Sequence, residues 1–173
     1  MQSFVLLLLS WAWPTIGGVI SEHKVLSNQP KVTLPRGSIV SGVVDYNYSS
    51  VRQFLGIPYA QPPVGELRWE APLPNNLSLS VDATAYGRSC TQFISTAASV
   101  FTRDILESNI RNINTTGEDC LTLSVWTPQH AKNLPVLLFF YGGGWYTGGQ
   151  DTPYQIPTQW VQRTKDLVVI VPK

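Results

Sequence analysis

The sequence predicts an α/β fold in which a mixed, mostly parallel sheet is preceded by an antiparallel β-hairpin. An apolar strand runs into three consecutive glycines in the segment Leu134-Pro-Val-Leu-Leu-Phe-Phe-Tyr-Gly-Gly-Gly-Trp145. A short helical segment at 158–165 and a second apolar strand at 167–171 follow it, which is the order of a βαβ unit. β-Forming residues also alternate on both sides of Arg36 and Gly37, as they do in a hairpin.

The first half of the chain contains short β elements separated by turns. The hairpin spans residues 31–45. A second strand at 51–59 ends at Pro58, and two further prolines follow at 62–63, since proline removes a backbone donor. Residues 75–88 are polar and rich in turn-forming residues.

The second half carries the main strands. Residues 97–113 have only weak helical periodicity, because Ser, Thr and Asn are frequent among them. Residues 120–126 alternate with period two and predict a strand, and 127–133 form a loop. Residues 136–141 are apolar on both faces, which predicts a central parallel strand. The strand at 167–171 is also expected inside the sheet. Only two residues follow it, so we expect its apolar face to stay uncovered, as in an incomplete fold.

Composition excludes several classes of protein. Hydrophobic residues make up 43% of the 173 and charged residues 13%, which is typical of a globular domain. The net charge of +1 and the lack of a basic run favour no nucleic-acid partner. Beyond the N-terminus no apolar stretch reaches the length of a membrane span, so no membrane span is expected.

The N-terminus has the pattern of an export signal. Residues 4–13 form an apolar run that is too short for a bilayer, and small residues follow before position 17. We therefore predict a signal peptide at 1–17 and a secreted, extracellular protein; a buried N-terminal helix is the alternative. Sequons for N-glycosylation begin at Asn47, Asn76 and Asn114, which fits an exported glycoprotein.

The two cysteines, Cys90 and Cys120, have three possible roles. In a secreted chain an even pair favours a disulfide, and two free thiols or a metal site are the alternatives. Two cysteines without a nearby histidine provide too few ligands for zinc. We therefore expect no metal and no cofactor.

The three glycines after the apolar strand are the main candidate for chemistry. Gly142, Gly143 and Gly144 lack a Cβ, so they can adopt positive φ and leave their N–H groups uncovered. Backbone amides displayed at the end of a strand can bind a developing negative oxygen, as an oxyanion hole does. A tight turn without chemistry is the alternative.

Several segments together resemble the type-B carboxylesterase/lipase family of α/β-hydrolases, which includes the cholinesterases. They are Phe54-Leu-Gly-Ile-Pro-Tyr-Ala-Gln-Pro-Pro-Val-Gly65 with Leu67-Arg68-Trp69, then Glu118-Asp-Cys-Leu-Thr-Leu-Ser-Val-Trp126, and then Tyr141-Gly-Gly-Gly-Trp-Tyr-Thr-Gly148. The resemblance covers residues 35–171 and implies that the chain is the N-terminal part of an α/β-hydrolase fold, with 31–173 as a portion of the esterase domain.

The resemblance also implies roles for individual residues. The amides of Gly143 and Gly144 would be oxyanion donors, with Gly142 in support. Cys90 and Cys120 would be bridged, and Arg68 and Glu118 would form a structural ion pair of the buried kind that specifies geometry. A solvated surface charge is the alternative for Arg68. The substrate of the full-length protein would be a small-molecule or lipid ester.

The catalytic triad of such an enzyme is missing from the sequence. No Gly-x-Ser-x-Gly motif occurs, and a Ser–His pair built from either of the two histidines, His23 or His130, would lack a nucleophile elbow and an orienting acid. We expect a fragment that ends before the nucleophile elbow, comes from a secreted serine ester hydrolase and is inactive alone. The alternative is a non-catalytic adhesion protein on the same fold, as in the neuroligins.

Overall fold

The computed structural model describes residues 29–93 and 116–173. The strands are β1 (Lys31–Thr33), β2 (Ile39–Ser41), β3 (Val51–Pro58), β4 (Ser80–Asp82), β5 (Ser89–Cys90), β6 (Thr116–Gly117), β7 (Thr122–Pro128), β8 (Val136–Leu138) and β9 (Val168–Pro172), and these residues also contain the helix α1 (Thr158–Thr164). The predicted signal peptide, His23, the segment 97–113 and Asn114 lie outside the described residues. Among the described residues, no helix has the length and apolar character of a membrane span.

The N-terminal hairpin is confirmed. β1 and β2 pair antiparallel, and the turn between them places Gly37 at a φ of 89°, a value that glycine adopts without steric cost. The sequence did not predict β4, which adds to β2 in parallel and completes a three-stranded sheet. β4 is three residues long, with Val81 buried between two exposed polar residues, so its alternation is too short to be recognised as a strand in the sequence.

The main sheet is mixed, as predicted, with the strand order β3-β7-β9-β8, but two of its three strand pairings are antiparallel, so within the described residues it is not mostly parallel. β7 pairs antiparallel with both of its neighbours, and β8 pairs parallel with β9. The chain passes from β8 through the glycine loop and α1 to β9, so the predicted βαβ order is confirmed.

The core lies between this sheet and α1. Trp126 on β7, Val51 on β3, Val169 on β9 and Val161 on α1 are at most 1% exposed and belong to one cluster. The indole Nε1 of Trp126 donates to Oε1 of the buried Gln53 at 3.2 Å, so the one polar atom of this ring is satisfied. The loop between β8 and α1 is therefore attached to elements that are packed in this core.

The position predicted for one of the last two strands is wrong, and the position predicted for the other is confirmed. The strand predicted at 136–141 as central is β8, which lies at the edge of the four-stranded sheet, and Val136 is 61% exposed. The strand predicted inside the sheet at 167–171 is confirmed as β9, which pairs with β7 and β8; Val169 and Val171 on it are buried, so the apolar face that was expected to stay uncovered is covered at these positions. The reason is that the chain inserts β9 between β7 and β8, so the open apolar edge belongs to the earlier strand.

Candidate active site

The glycine loop follows β8 directly and closes on itself. The carbonyl oxygen of Gly143 accepts from the amides of Tyr146 at 3.4 Å and Thr147 at 3.2 Å. Gly143 and Gly144 have φ values of 148° and 63°, and Trp145 continues the turn at 69°. Only glycine adopts a φ of 148° readily, whereas a φ near 65° is free for Gly144 and is tolerated by Trp145 at some conformational cost.

The amide N–H groups of the three glycines are unpaired within the described residues. Among the described residues, no acceptor receives a hydrogen bond from the N–H of Gly142, Gly143 or Gly144, and none of the three belongs to a strand. All three line a cleft of about 780 Å³, together with Tyr141 and Lys173. The structure thus brings the predicted glycines to one cleft with their backbone donors unused.

The space around each glycine explains why the three positions differ. A Cβ on Gly143 would lie 1.8 Å from the carbonyl oxygen of Thr147, inside the closed loop. A Cβ on Gly144 would lie 2.9 Å from Cε1 of the movable Tyr146 ring, and one on Gly142 would meet nothing within 4 Å. Gly143 is therefore the position at which any side chain would force the loop open.

Cys90 and the two residues that follow it also line the cleft. Cys90 is bonded to Cys120 in a disulfide, with 5.0 Å between the two Cα atoms. Gln92 follows, and its side-chain amide forms hydrogen bonds to Gly148 and Thr147 of the glycine loop. Sequence reasoning missed Gln92, because a single glutamine two residues after a cysteine has no pattern of its own.

A polar cluster formed by Lys173, Ser89 and Asp151 adjoins the cleft, which Lys173 lines. Nζ of Lys173 donates to the carbonyl oxygen of Gly87 at 2.7 Å and lies 3.4 Å from Oγ of Ser89. The Ser89 hydroxyl in turn donates to Oδ1 of Asp151 at 3.4 Å, and both of these residues are buried. Sequence reasoning missed this cluster too, since its members come from distant segments.

Burial shifts the pKa values of two side chains that line the cleft. Burial lowers the pKa of Lys173 to about 8, and the Asp151 carboxylate opposes this shift. Burial also raises the pKa of Tyr141, with smaller contributions from Asp151 and Tyr59. In the described part of the chain, no group of three or more His, Cys, Asp or Glu side chains could hold a metal ion.

Arg68 and Glu118 are in contact, but on the surface. Nη2 of Arg68 lies 2.7 and 2.6 Å from the two carboxylate oxygens of Glu118. Their side chains are 53% and 41% exposed, so the pair is not of the buried kind that was expected. One nitrogen contacts both oxygens, which is not the two-nitrogen fork of a rigid bidentate pair. The physical reason is that Arg68 ends the short 3-10 turn Gly65–Leu67 and stays in solvent.

The remaining predicted residues lie away from the cleft. His130 is exposed in the loop after β7 and is absent from the cleft lining. The sequon residues Asn47 and Asn76 are also exposed. The described residues therefore bring together the glycines and the disulfide segment, and they bring no histidine to them.

Comparison with known proteins agrees with this geometry. The sequence profile described as "Carboxylesterase family" matches residues 28–173. A chlorogenic acid esterase from Aspergillus niger is 37% identical over 138 residues, which are 76% of this chain and 27% of the relative. A protein named secreted lipase 5 from Gibberella zeae is 30% identical over 179 residues, covering 94% of this chain and 32% of the relative. A solved structure of a thermophilic PNB esterase superposes with a TM-score of 0.67 at 29% identity, covering 84% of this chain and 28% of that one.

Proposed function

Since the chain belongs to the carboxylesterase family, we propose that it supplies the oxyanion hole of a serine carboxylic-ester hydrolase. The observation that carries this proposal is the pair of unused amides of Gly143 and Gly144 at the cleft. The chain spans about 30% of the length of its relatives, so the complete reaction is proposed for a protein that contains further residues.

The proposed chemistry is acyl transfer through two tetrahedral intermediates. A serine hydroxyl attacks the ester carbonyl and passes its proton to a general base, and the carbonyl oxygen becomes an oxyanion. The amides of Gly143 and Gly144 donate to that oxygen, the alcohol leaves, and water then hydrolyses the acyl-enzyme through the same kind of intermediate. Loss of one such donor typically lowers kcat about 10²–10³-fold.

The 173 residues alone are proposed to have no esterase activity. The sequence contains no Gly-x-Ser-x-Gly motif, and the exposed His130 lies outside the cleft. Unused amides stabilise an oxyanion only when a nucleophile creates one. A buried serine, Ser89, contacts Asp151, but it is 2% exposed and so out of reach of a substrate.

The proposed substrate is a small-molecule or lipid ester, and the proposed location is extracellular. The relatives' names, a chlorogenic acid esterase and a secreted lipase, support both proposals. The disulfide is of a kind that persists in oxidising compartments, and the exposed Asn47 and Asn76 are accessible to glycosylation. No observation favours the neuroligin-like alternative.

The test is a chimera with a relative. Residues 28–173 replace the matching N-terminal part of the Aspergillus niger chlorogenic acid esterase, and hydrolysis of p-nitrophenyl butyrate is measured for the chimera and for the 173-residue chain. We expect turnover by the chimera only. Gly143→Ala should lower its kcat at least about 100-fold, whereas the control His130→Ala should leave it unchanged. A folded, disulfide-bonded chimera without activity, or turnover by the short chain, would refute the proposal.

A further inference from the structure

We propose that Gln92 is a positioning residue for the glycine loop: its side-chain amide ties Thr147 and Gly148 to the disulfide-bonded segment and thereby fixes the amides of Gly143 and Gly144. The role of those amides rests on the proposed function. The contact between Gln92 and the loop does not, because it is a property of the described residues alone.

The Gln92 amide uses its full hydrogen-bonding capacity. Its Oε1 accepts from the Gly148 amide at 2.8 Å and from Oγ1 of Thr147 at 3.1 Å. Its Nε2 donates to the carbonyl oxygens of Gly148 at 3.0 Å and Cys90 at 3.2 Å. A primary amide has two N–H donors and an oxygen with two lone pairs, so all four positions are filled.

The four partners also determine which way the amide points. Both atoms near Nε2 are carbonyl oxygens, which only accept, and the backbone partner near Oε1 is an N–H, which only donates. Turning the amide by 180° would place N–H against N–H and oxygen against oxygen, which is unfavourable on both sides. Gln92 therefore binds the backbone of Gly148 in one orientation.

The bound residue closes the loop. Gly148 has a φ of 114°, and a Cβ built on it would lie 2.5 Å from the carbonyl oxygen of Gly142, so the two ends of the loop touch. Between these ends, Gly143 accepts from the amides of Tyr146 and Thr147. Movement of Gly148 would open this closed turn and change the direction of the amides that precede it.

Gln92 is itself held from behind. Cys90 is bonded to Cys120 and pairs in β5 with β6, so the carbonyl that receives Nε2 belongs to an anchored backbone. The next residue, Phe93, donates its amide to the Tyr146 carbonyl at 3.0 Å, and the two rings meet edge to face with centroids 6.0 Å apart. The segment 90–93 thus contacts the loop through two successive residues: Gln92 through its side-chain amide, and Phe93 through its backbone N–H and its ring.

The test measures amide hydrogen exchange of the 173-residue chain. The informative amides are those of Tyr146 and Thr147, which donate to Gly143 and not to Gln92. We expect their exchange to be about tenfold or more faster in Gln92→Leu, which loses every bond, and about threefold or more faster in Gln92→Glu, which keeps an acceptor. The control Gln61→Leu removes a comparable side-chain bond to the Pro74 carbonyl and should leave both amides unchanged.

Two results would overturn the proposal. One is acceleration at Gly148 alone in both Gln92 variants, which would make the bond local. The other is equal acceleration throughout β3 and β7 in both variants, which would assign Gln92 to general stability.

The same two variants in the chimera separate this proposal from the proposed function. Gln92→Leu should lower kcat about tenfold or more with little change in KM, because a displaced oxyanion donor acts in the transition state. If exchange responds as expected but the unmodified chimera is inactive, the hydrolase proposal fails and the positioning role remains. If the chimera is active and Gln92→Leu changes neither exchange nor kcat, the positioning role fails alone.

Discussion

Replacing the three loop glycines one at a time by alanine should produce three different losses of stability. At Gly142 an added Cβ meets nothing within 4 Å, so Gly142→Ala should change the free energy of unfolding by less than about 0.5 kcal/mol. At Gly144 the φ of 63° is left-handed and the 2.9 Å neighbour is a movable ring, so we expect a loss of about 1–2 kcal/mol from backbone strain.

Gly143→Ala should be the most damaging of the three. The new methyl group would lie 1.8 Å from a carbonyl oxygen of the loop itself, so the turn has to open. Opening removes the two hydrogen bonds that Gly143 accepts, at about 1 kcal/mol each, and leaves a φ of 148° unfavourable for alanine. Together these terms give a loss of about 2–4 kcal/mol.

Urea denaturation followed by tryptophan fluorescence measures these differences, since the buried Trp126 reports on the core. The reasoning requires the order Gly142, Gly144, Gly143 from least to most destabilised. Equal effects at Gly142 and Gly143 would show that the loop does not have the closed shape described. Circular dichroism of each variant establishes that the sheet is retained.

Three further predictions concern charge and covalent structure. Folding lowers the pKa of Lys173 from 10.5 to about 8, so the unfolded chain binds more protons between these values. The free energy of unfolding should therefore rise from about pH 8 to about pH 10 and stay flat in Lys173→Met; a rise retained in the variant would contradict this. The exposed pair Arg68–Glu118 should couple by less than about 1 kcal/mol in a double-mutant cycle, and a coupling above about 2 kcal/mol would contradict its surface position. Reducing the disulfide, which joins residues 30 apart in sequence, should cost about 3–4 kcal/mol by loop-closure entropy, and unchanged urea midpoints in dithiothreitol would exclude that contribution.

Elements with a local signal were predictable from sequence. The hairpin at Gly37 follows from turn chemistry, and the existence of β7 follows from its period-two alternation, although the more buried face carries Thr122, Ser124 and Trp126 and not Leu123 and Val125. The positive φ of Gly143 and Gly144 was predictable as well, because glycine has no Cβ and adopts such a backbone freely. Each of these depends on residues that are neighbours in the chain.

Features that depend on distant segments were not predictable. Nothing in residues 136–141 states that β9 will lie on one side of β8 and solvent on the other, because strand order depends on where the crossover returns. Gln92 meets Gly148 across 56 residues, and Lys173 meets Gly87 across 86. The family resemblance correctly brought Arg68 to Glu118, but the exposure of the pair depends on the local path of the 3-10 turn.

The disulfide has a practical consequence for anyone who produces this chain. Cys90 lies two residues before Gln92, and beyond the covalent link its backbone is held by the two-residue strand β5. In a reducing cytosol the cleft wall would therefore lose its main anchor while the core around Trp126 could still assemble. The circular dichroism of a preparation from such a host would be that of a folded protein, but its glycine loop would be less rigidly held. Expression in the periplasm or in an oxidising host is therefore the appropriate route.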